Sequence, residues 1–487
     1  MIPEKYDEKT VNTTLDKFSS WLSQKLPEPP KAKENLLRFA KLHDRRCYHL
    51  IRCCFNPESD YRTVVKALKE IKKRMGDSQS PGILDSLTPL LYRVSQLIYN
   101  KSHVAPIVEF SRTDELTLGS TAHEVLKEMS ASNPAVFKAN VKALSDLLQE
   151  QSPDSGKDGV DTVGAVDTLK ACAGFAKSYP KDMPQERKLL QVLVAFALTG
   201  KPPAAAKHAV TILMHSSSRK EMYATDLVKR CVDNFTYGSE HFLAKLACLG
   251  QLVLLAPAQC EDATPKINDI AKDILLNVRT PAVDDEADDS EWVEDADLDD
   301  ECKAKILALR ILVNMLRHSE VKDVEQTSIM VMDILLKTIR NGGSIAKEGV
   351  TPKAHRSRLR LVAAQLLLKL AVHKVYDDII TPFNFHKLAC VAQDTCYGVR
   401  RGFIDKLKKY LASGKLPPRY YTIVFLMAYE PVVEWREETT NWIRSRTTLI
   451  SSKPGNIMEV VFARLLSLLV HHPDFGTLVK DLSDFSK

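Results

Sequence analysis

Between Gln393 and Leu411 the sequence reads QDTCYGVRRGFIDKLKKYL. Arg400, Arg401, Lys406, Lys408 and Lys409 supply guanidinium and ammonium donors, whose chemistry is anion binding. Upstream, Arg356, Arg358 and Arg360 open a second basic stretch, RSRLRLVAAQLLLKLA. Over residues 351–420 fourteen Lys/Arg stand against four Asp, so the region is strongly cationic. Three occupants compete for such a surface: solvent alone, an acidic helical segment of a partner, or the phosphates of a nucleic acid. Phosphate binding releases counterions and is steeply salt-dependent. A protein partner depends instead on a few buried anchors, enriched in Tyr and Arg. Tyr397 is the expected anchor, with Arg401 and Lys406 steering the acidic segment onto it.

These side chains need helices to position them. Val399, Phe403, Ile404, Leu407 and Leu411 recur at three- and four-residue steps, the spacing of one buried helix face. Leu359, Leu361 and Leu366 to Leu368 do the same upstream. If equivalent helices stack side by side, Arg358, Arg360, Lys406 and Lys409 share one surface. Tyr376, Tyr397 and Tyr420 are expected to line it.

A repeat signal says how the helices stack. Asp394 is followed six residues later by Arg400, and Glu430 six residues later by Arg436. Asp474 follows in HHPDF, so the acids lie 36 and 44 residues apart. HEAT units repeat at roughly 40–47 residues. The loop acid can cap the second helix of its unit, and the Arg can reach the acid of an adjacent unit. Asp394, Val399 and Arg400 are therefore read as a structural corner, which withdraws Arg400 from the free ligands.

The rest of the chain fits this picture. At 487 residues it is too long for one compact core. Apolar spacing is helical nearly throughout, as in LLRFAKLHDRRCYHLIRCC and YRTVVKALKEIKKRM. Loops such as FNPESD, GDSQSPG, SPDSGKDG, TGKPP and SSKPGN interrupt it every ten to twenty residues. The expected fold is all-α, a HEAT-repeat α-solenoid built as a superhelical array of antiparallel helix pairs. Residues 1–32 form an N-terminal segment, 33–282 HEAT-like repeats, 283–301 an acidic loop, and 302–487 further repeats with the basic surface. No polar capping repeat is evident at either end, so the sequence reads as a piece of something longer.

The acidic loop stands out. DDEADDSEWVEDADLDDE, Asp284 to Glu301, holds twelve acids and no Lys or Arg, in a chain of net charge +6. Like charges repel, and the plain expectation is a solvated loop. Its rival is docking on the basic region, with Trp292 as the residue that would anchor it.

Several classes are excluded. The longest apolar run, near LLQVLVAFAL, is about half of what a bilayer requires. The ten cysteines contain no C-x-x-C and read as small buried apolar residues, with no metal site. No phosphate-binding Gly loop, H-E-x-x-H or G-x-S-x-G occurs. His471 and His472 suit a helix C-terminus. His43 beside Asp44 has no nucleophile to complete a triad, and Asp377-Asp378 reads as a turn. A non-enzymatic binding protein is the class left.

Five stretches carry a family resemblance: LLAPAQC, SEWVEDADL, RSRLRLVAAQLLLKLA, QDTCYGVRRGFIDKLKKYL and LPPRYYTIVFLMAYEPV, in that order. Together they resemble the "precocious dissociation of sisters" family of HEAT-repeat cohesion regulators. The match is strongest from Val232 to Phe475, thinner from Arg38 and weak before Leu36. The resemblance implies a nuclear, chromosome-associated factor that binds the kleisin subunit of cohesin and governs maintenance and release of sister-chromatid cohesion. It also implies the Wings-apart-like releasing factor and the cohesin acetyltransferase as partners. No cofactor is required, and inositol hexakisphosphate enters only because some animal members carry it in a basic pocket. The sequence departs from the family in lacking its N-terminal repeats with their Ala-Pro-Asp-Ala-Pro segment, the later solenoid and the basic tail. The rival readings are a nuclear-transport or adaptor-type HEAT scaffold and a direct DNA-binding scaffold.

Overall fold

The computed structural model describes residues 29–42, 44–76, 81–94, 97, 99–113, 118–153, 162–233, 235–280, 291–317, 326–345, 351–451 and 457–471. Among the described residues there is no strand, and the fold is an all-α HEAT-like solenoid. The chain divides into two compact units, one ending at Tyr223 and the other beginning at Ala224.

In the first unit α1 (Pro29–Lys41), α2 (Arg45–Phe55), α3 (Tyr61–Gly76) and α4 (Pro81–Val94) share one core. Helix α2 buries Cys47, Leu50, Ile51 and Cys54, and α3 buries Val64, Ala67, Leu68, Ile71 and Met75. These are the three- and four-residue steps that make one face of a helix apolar. Asp44 starts α2 by accepting a hydrogen bond from the Cys47 N–H, the capping interaction that satisfies an otherwise orphaned donor. Its carboxylate also holds Arg74 of α3, so its role beside His43 is structural. Helices α5 (Lys101–Thr113), α6 (Gly119–Ser132), α7 (Val141–Glu150), α8 (Thr162–Ser178), α9 (Arg187–Thr199) and α10 (Ala204–Ser216) continue the array, each packed on its neighbours.

Helix α11 (Lys220–Val232) opens the second unit, its first four residues being the last of the first unit. Then come α12 (Phe242–Leu255), the short α13 (Pro257–Cys260) and α14 (Thr264–Leu276). Helix α15 (Asp300–Leu316) packs on α12, on α14 and on α17 (Lys353–Leu370), and α16 (Gln326–Arg340) packs beside α17. The short α18 (Lys374–Ile379) and α19 (Pro382–Cys390) lead to α20 (Tyr397–Ala412), which packs directly on α17. Helices α21 (Tyr421–Phe425), α22 (Val433–Ser451) and α23 (Ile457–Val470) follow.

Most of the cysteines are buried and all ten are free thiols; Cys53 and Cys390 are half-buried. Among the described residues no cluster could hold a metal ion, and no helix is long and apolar enough to cross a membrane. Residues 1–28, Asp284 to Ser290 of the acidic loop, and His472 and Asp474 of the HHPDF turn lie outside the described residues.

Candidate partner-binding surface and its supporting corners

The corner at Asp394 is repeated at Glu430. Asp394 Oδ1 accepts from the Cys396 N–H at 3.0 Å, and Glu430 Oε1 accepts from the Val432 N–H at 3.2 Å. Each acid thus holds the N–H of the residue just before the next helix, Cys396 before α20 and Val432 before α22, and does not cap a first-turn N–H as expected. Six residues on, Arg400 Nη1 donates to the Asp394 carbonyl at 2.7 Å, and Arg436 Nη1 donates to the Glu430 carbonyl at 3.0 Å. Each Arg therefore closes its own corner.

The same guanidinium also reaches the neighbouring unit. Arg400 Nε and Nη2 fork onto the Glu430 carboxylate at 2.9 and 3.1 Å. Arg360 repeats this one unit earlier, with Nε and Nη2 on Asp394 at 2.8 and 2.9 Å and Nη1 on the Gly342 carbonyl at 2.8 Å. Arg360, Asp394, Arg400, Glu430 and Arg436 form a ladder in which cation and acid alternate. Parallel N–H bonds to both carboxylate oxygens are the strongest geometry available to this pair. Burial lowers the Arg360 pKa, but the carboxylates of Asp394 and Glu291 outweigh it and hold the group above its ordinary value. Asp394, Val399 and Arg400 all serve this framework: Val399 is fully buried, and Arg400 spends its donors on Glu430, Asp394 and Thr395. A cleft of about 490 Å³ lies between the two corners, walled by Asp394, Thr395, Arg400, Tyr429, Glu430 and Pro431.

On α20 the expected core positions, Val399, Phe403, Ile404, Leu407 and Leu411, are all buried. The basic residues part company around the other side. Arg401 pairs with Asp405 at 3.0 Å and with Glu438 of α22 at 3.4 Å, and its guanidinium lies 5.2 Å from the Trp435 ring. Lys408 is buried against Glu438 and Thr439. Burial raises the Glu438 pKa, but Lys408 and Arg401 overcome this and hold its carboxyl below the usual range. Lys406 reaches over the Tyr410 ring at 4.9 Å, and Lys409 is exposed. Tyr397, at the first turn of α20, is 45% exposed and stands edge-on to Trp435 with centroids 5.5 Å apart.

Four of the expected surface residues sit elsewhere. Tyr376 is 1% exposed and donates its hydroxyl to the Leu316 carbonyl at 2.9 Å, which satisfies the C-terminal end of α15. Tyr420 is completely buried and donates to Asp377 Oδ1 at 2.7 Å. Both rings are core, because their size and apolar area favour burial once the hydroxyl has an acceptor. Arg360 belongs to the ladder. Arg358, buried at 8% exposure, faces Glu291–Leu298 and does not share a surface with Lys406.

That segment also departs from the plain expectation of a solvated loop. Glu291 accepts from Arg360 Nη2 at 2.7 Å and from the Thr395 hydroxyl at 3.1 Å. Trp292 lies 4.5 Å below the Arg358 guanidinium, Asp295 pairs with Arg358, and Leu298 is buried. Asp299 then caps α15 through the Cys302 N–H and takes His355 Nε2 at 2.6 Å. The docked alternative holds for Glu291 to Glu301, with Trp292 as its anchor.

Some roles had no expectation attached. Asp377, read as a turn acid, lies in α18, where it receives Arg419 Nη2 at 2.6 Å as well as Tyr420. Glu438 and Trp435 set the environment of Arg401 and Tyr397. Trp435 stands five residues after Glu430, as the buried Val399 stands after Asp394, and that register is the signal that could have found it.

The basic side chains do not converge on a point. Arg358, Arg360, Arg400, Arg401 and Lys408 are each engaged by carboxylates of the chain itself. This face does not suit a compact polyphosphate, which would have to displace those carboxylates.

A family model described as "Sister chromatid cohesion protein PDS5 protein" matches residues 2–487. The chain belongs to the PDS5 family. The match includes the stretch before Leu36, where the five motifs gave little. The chain is 27% identical over 481 residues to the "Sister chromatid cohesion protein pds5" of Schizosaccharomyces pombe, covering 98% of the chain and 39% of that protein. It is 26% identical to "Sister chromatid cohesion protein PDS5" of Saccharomyces cerevisiae, covering 93% of the chain and 38% of that protein. For "Sister chromatid cohesion protein PDS5 homolog B" of Homo sapiens the identity is 23%, covering 93% of the chain and 33% of that protein. The chain spans less than two fifths of the length of these relatives.

Proposed function

We propose that the chain is a non-enzymatic scaffold of the cohesin system, located on chromosomes in the nucleus, that binds an acidic helical segment of the kleisin subunit along α20. The observation that carries this is Tyr397. An aromatic ring left 45% exposed, braced edge-on by Trp435 and flanked by Arg401, is pre-organised as an anchor. Burial lowers the Arg401 pKa, but Asp405 and Glu438 hold the group above its ordinary value. It is therefore fully cationic, though partly neutralised by those two acids. Lys406 and Lys409 add positive charge further along the helix and accelerate encounter with an acidic segment. Family membership supports a role in maintaining and releasing sister-chromatid cohesion. It also supports the Wings-apart-like releasing factor and the cohesin acetyltransferase as further partners. The proposal needs no cofactor.

The test is calorimetry with a peptide from the kleisin N-terminal region. Tyr397→Ala combined with Arg401→Glu is expected to abolish binding, and unchanged affinity sinks the placement. A gel shift with duplex DNA at two salt concentrations separates the direct DNA scaffold, which would shift strongly at low salt only.

A further inference from the structure

Residues 291–295 occupy a built seat. Its floor is Gly398, where an added Cβ would lie 2.4 Å from Trp292 ring atoms, so only glycine admits the indole. Its roof is the Arg358 guanidinium, stacked over the same indole. Its sides are Arg360 and Thr395, which hold the Glu291 carboxylate.

The occupant fits this seat incompletely. Arg358 is buried; its Nη2 pairs with Asp295 and its Nη1 reaches the Val293 carbonyl at 3.3 Å, yet its Nε has no acceptor. Burial pulls the pKa of this group below its ordinary value. The Trp292 indole N–H turns back to Glu294 of its own segment. Trp292 remains half-buried, and Glu294 to Asp297 are exposed. A structural clasp would be expected to satisfy a buried guanidinium in full.

We propose that Arg358, Arg360, Thr395 and Gly398 form a binding site for an acidic segment bearing a tryptophan on a partner protein, and that Glu291–Asp295 is its intramolecular competitor. The chemistry is specific: an indole between guanidinium and glycine, a carboxylate one residue before it, and an acceptor for Arg358. This site stands beside Tyr397 but does not depend on the kleisin reading. A competitor in cis lowers apparent affinity in trans by the fraction of time the seat is open.

The probe is a fluorescein-labelled peptide of residues 286–297, titrated into the full chain by anisotropy. With the competitor disabled by Glu291→Ala, Trp292→Ala and Asp295→Ala together, binding is expected to tighten at least about tenfold over wild type. The same variant carrying Gly398→Ala, or a probe with its Trp replaced by Ala, should lose that gain. If the triple variant loses its cooperative thermal melt, Trp292→Ala alone repeats the comparison. Equal binding by wild type and the released variant, in a folded protein, shows residues 291–295 to be a structural clasp and overturns the proposal. So does a gain that survives Gly398→Ala.

Discussion

Replacing Glu430 by Met tests the ladder most directly. The Arg400 and Glu430 side chains are 11% and 1% exposed, so the pair is desolvated. Breaking such a pair by removing one partner typically costs about 3–5 kcal/mol, because the other charge stays buried. The Val432 N–H also loses its acceptor, adding ~0.5–1.5 kcal/mol. Against this, Arg400 keeps two carbonyls through Nη1, which places the expected loss near the low end, about 3 kcal/mol. A chain of two units need not unfold in one step, so global denaturation is the wrong assay. Native-state hydrogen exchange of the α20 and α22 amides reads the local opening free energy, and a loss of about 3 kcal/mol speeds exchange roughly a hundredfold. Arg400→Met with Glu430→Met removes both charges and should recover most of that loss, since an apolar pair of similar size is often neutral. Exchange in Glu430→Met within about threefold of wild type would refute the reasoning, as would a double variant no better than the single.

Three further outcomes follow from the geometry. Tyr420→Phe leaves the buried Asp377 with Arg419 but without its hydroxyl donor, and should lower the local opening free energy read by native-state hydrogen exchange by about 1–3 kcal/mol. Gly174→Ala in α8 brings a methyl to 2.3 Å from Ser130 Oγ, which itself donates to the Ala171 carbonyl; a loss of about 1–3 kcal/mol is expected, partly restored by Ser130→Gly. Burial raises the Asp299 pKa, but His355 and the Cys302 N–H outweigh it and hold the carboxyl below the usual range. Its contribution is therefore complete above the unfolded carboxylate pKa and is lost as pH falls through the depressed folded value. The local opening free energy of α15 from hydrogen exchange, measured across the acidic range, should fall less steeply for Asp299→Asn than for wild type.

The two corners were legible because they are written in short-range register, acid, six residues, arginine, then the same again about a repeat later, whereas the place of Arg360 in the ladder was not. The buried stripe of α20 was legible for the same reason, since three- and four-residue steps depend only on helix geometry. Tyr376 and Tyr420 were not. A tyrosine near arginines reads alike whether it lines a surface or fills a core, and what decided it was an acceptor, the Leu316 carbonyl in one case and Asp377 in the other. The docking of residues 291–301 was hidden by composition. Twelve acids in one run argue for solvent, and that argument is overturned by non-local contacts such as Trp292 on Gly398, more than a hundred residues away in sequence. Arg358 and Arg360, two residues apart, take up different tasks because each faces a different non-local neighbour.

Asp394 has one more consequence. Its carboxylate grips Arg360 of α17 and also holds the Cys396 N–H just ahead of α20, and its carbonyl receives the arginine that ties α20 to the Glu430 corner. Three stiff rods meet at a single residue, as members meet at a pinned joint in a truss. A pull delivered at Tyr397, three residues away, is carried through short, directional bonds into the helices on either side before any apolar packing has to slide. In this part of the chain the proposed grip for a partner is set beside a joint whose bonds can carry load.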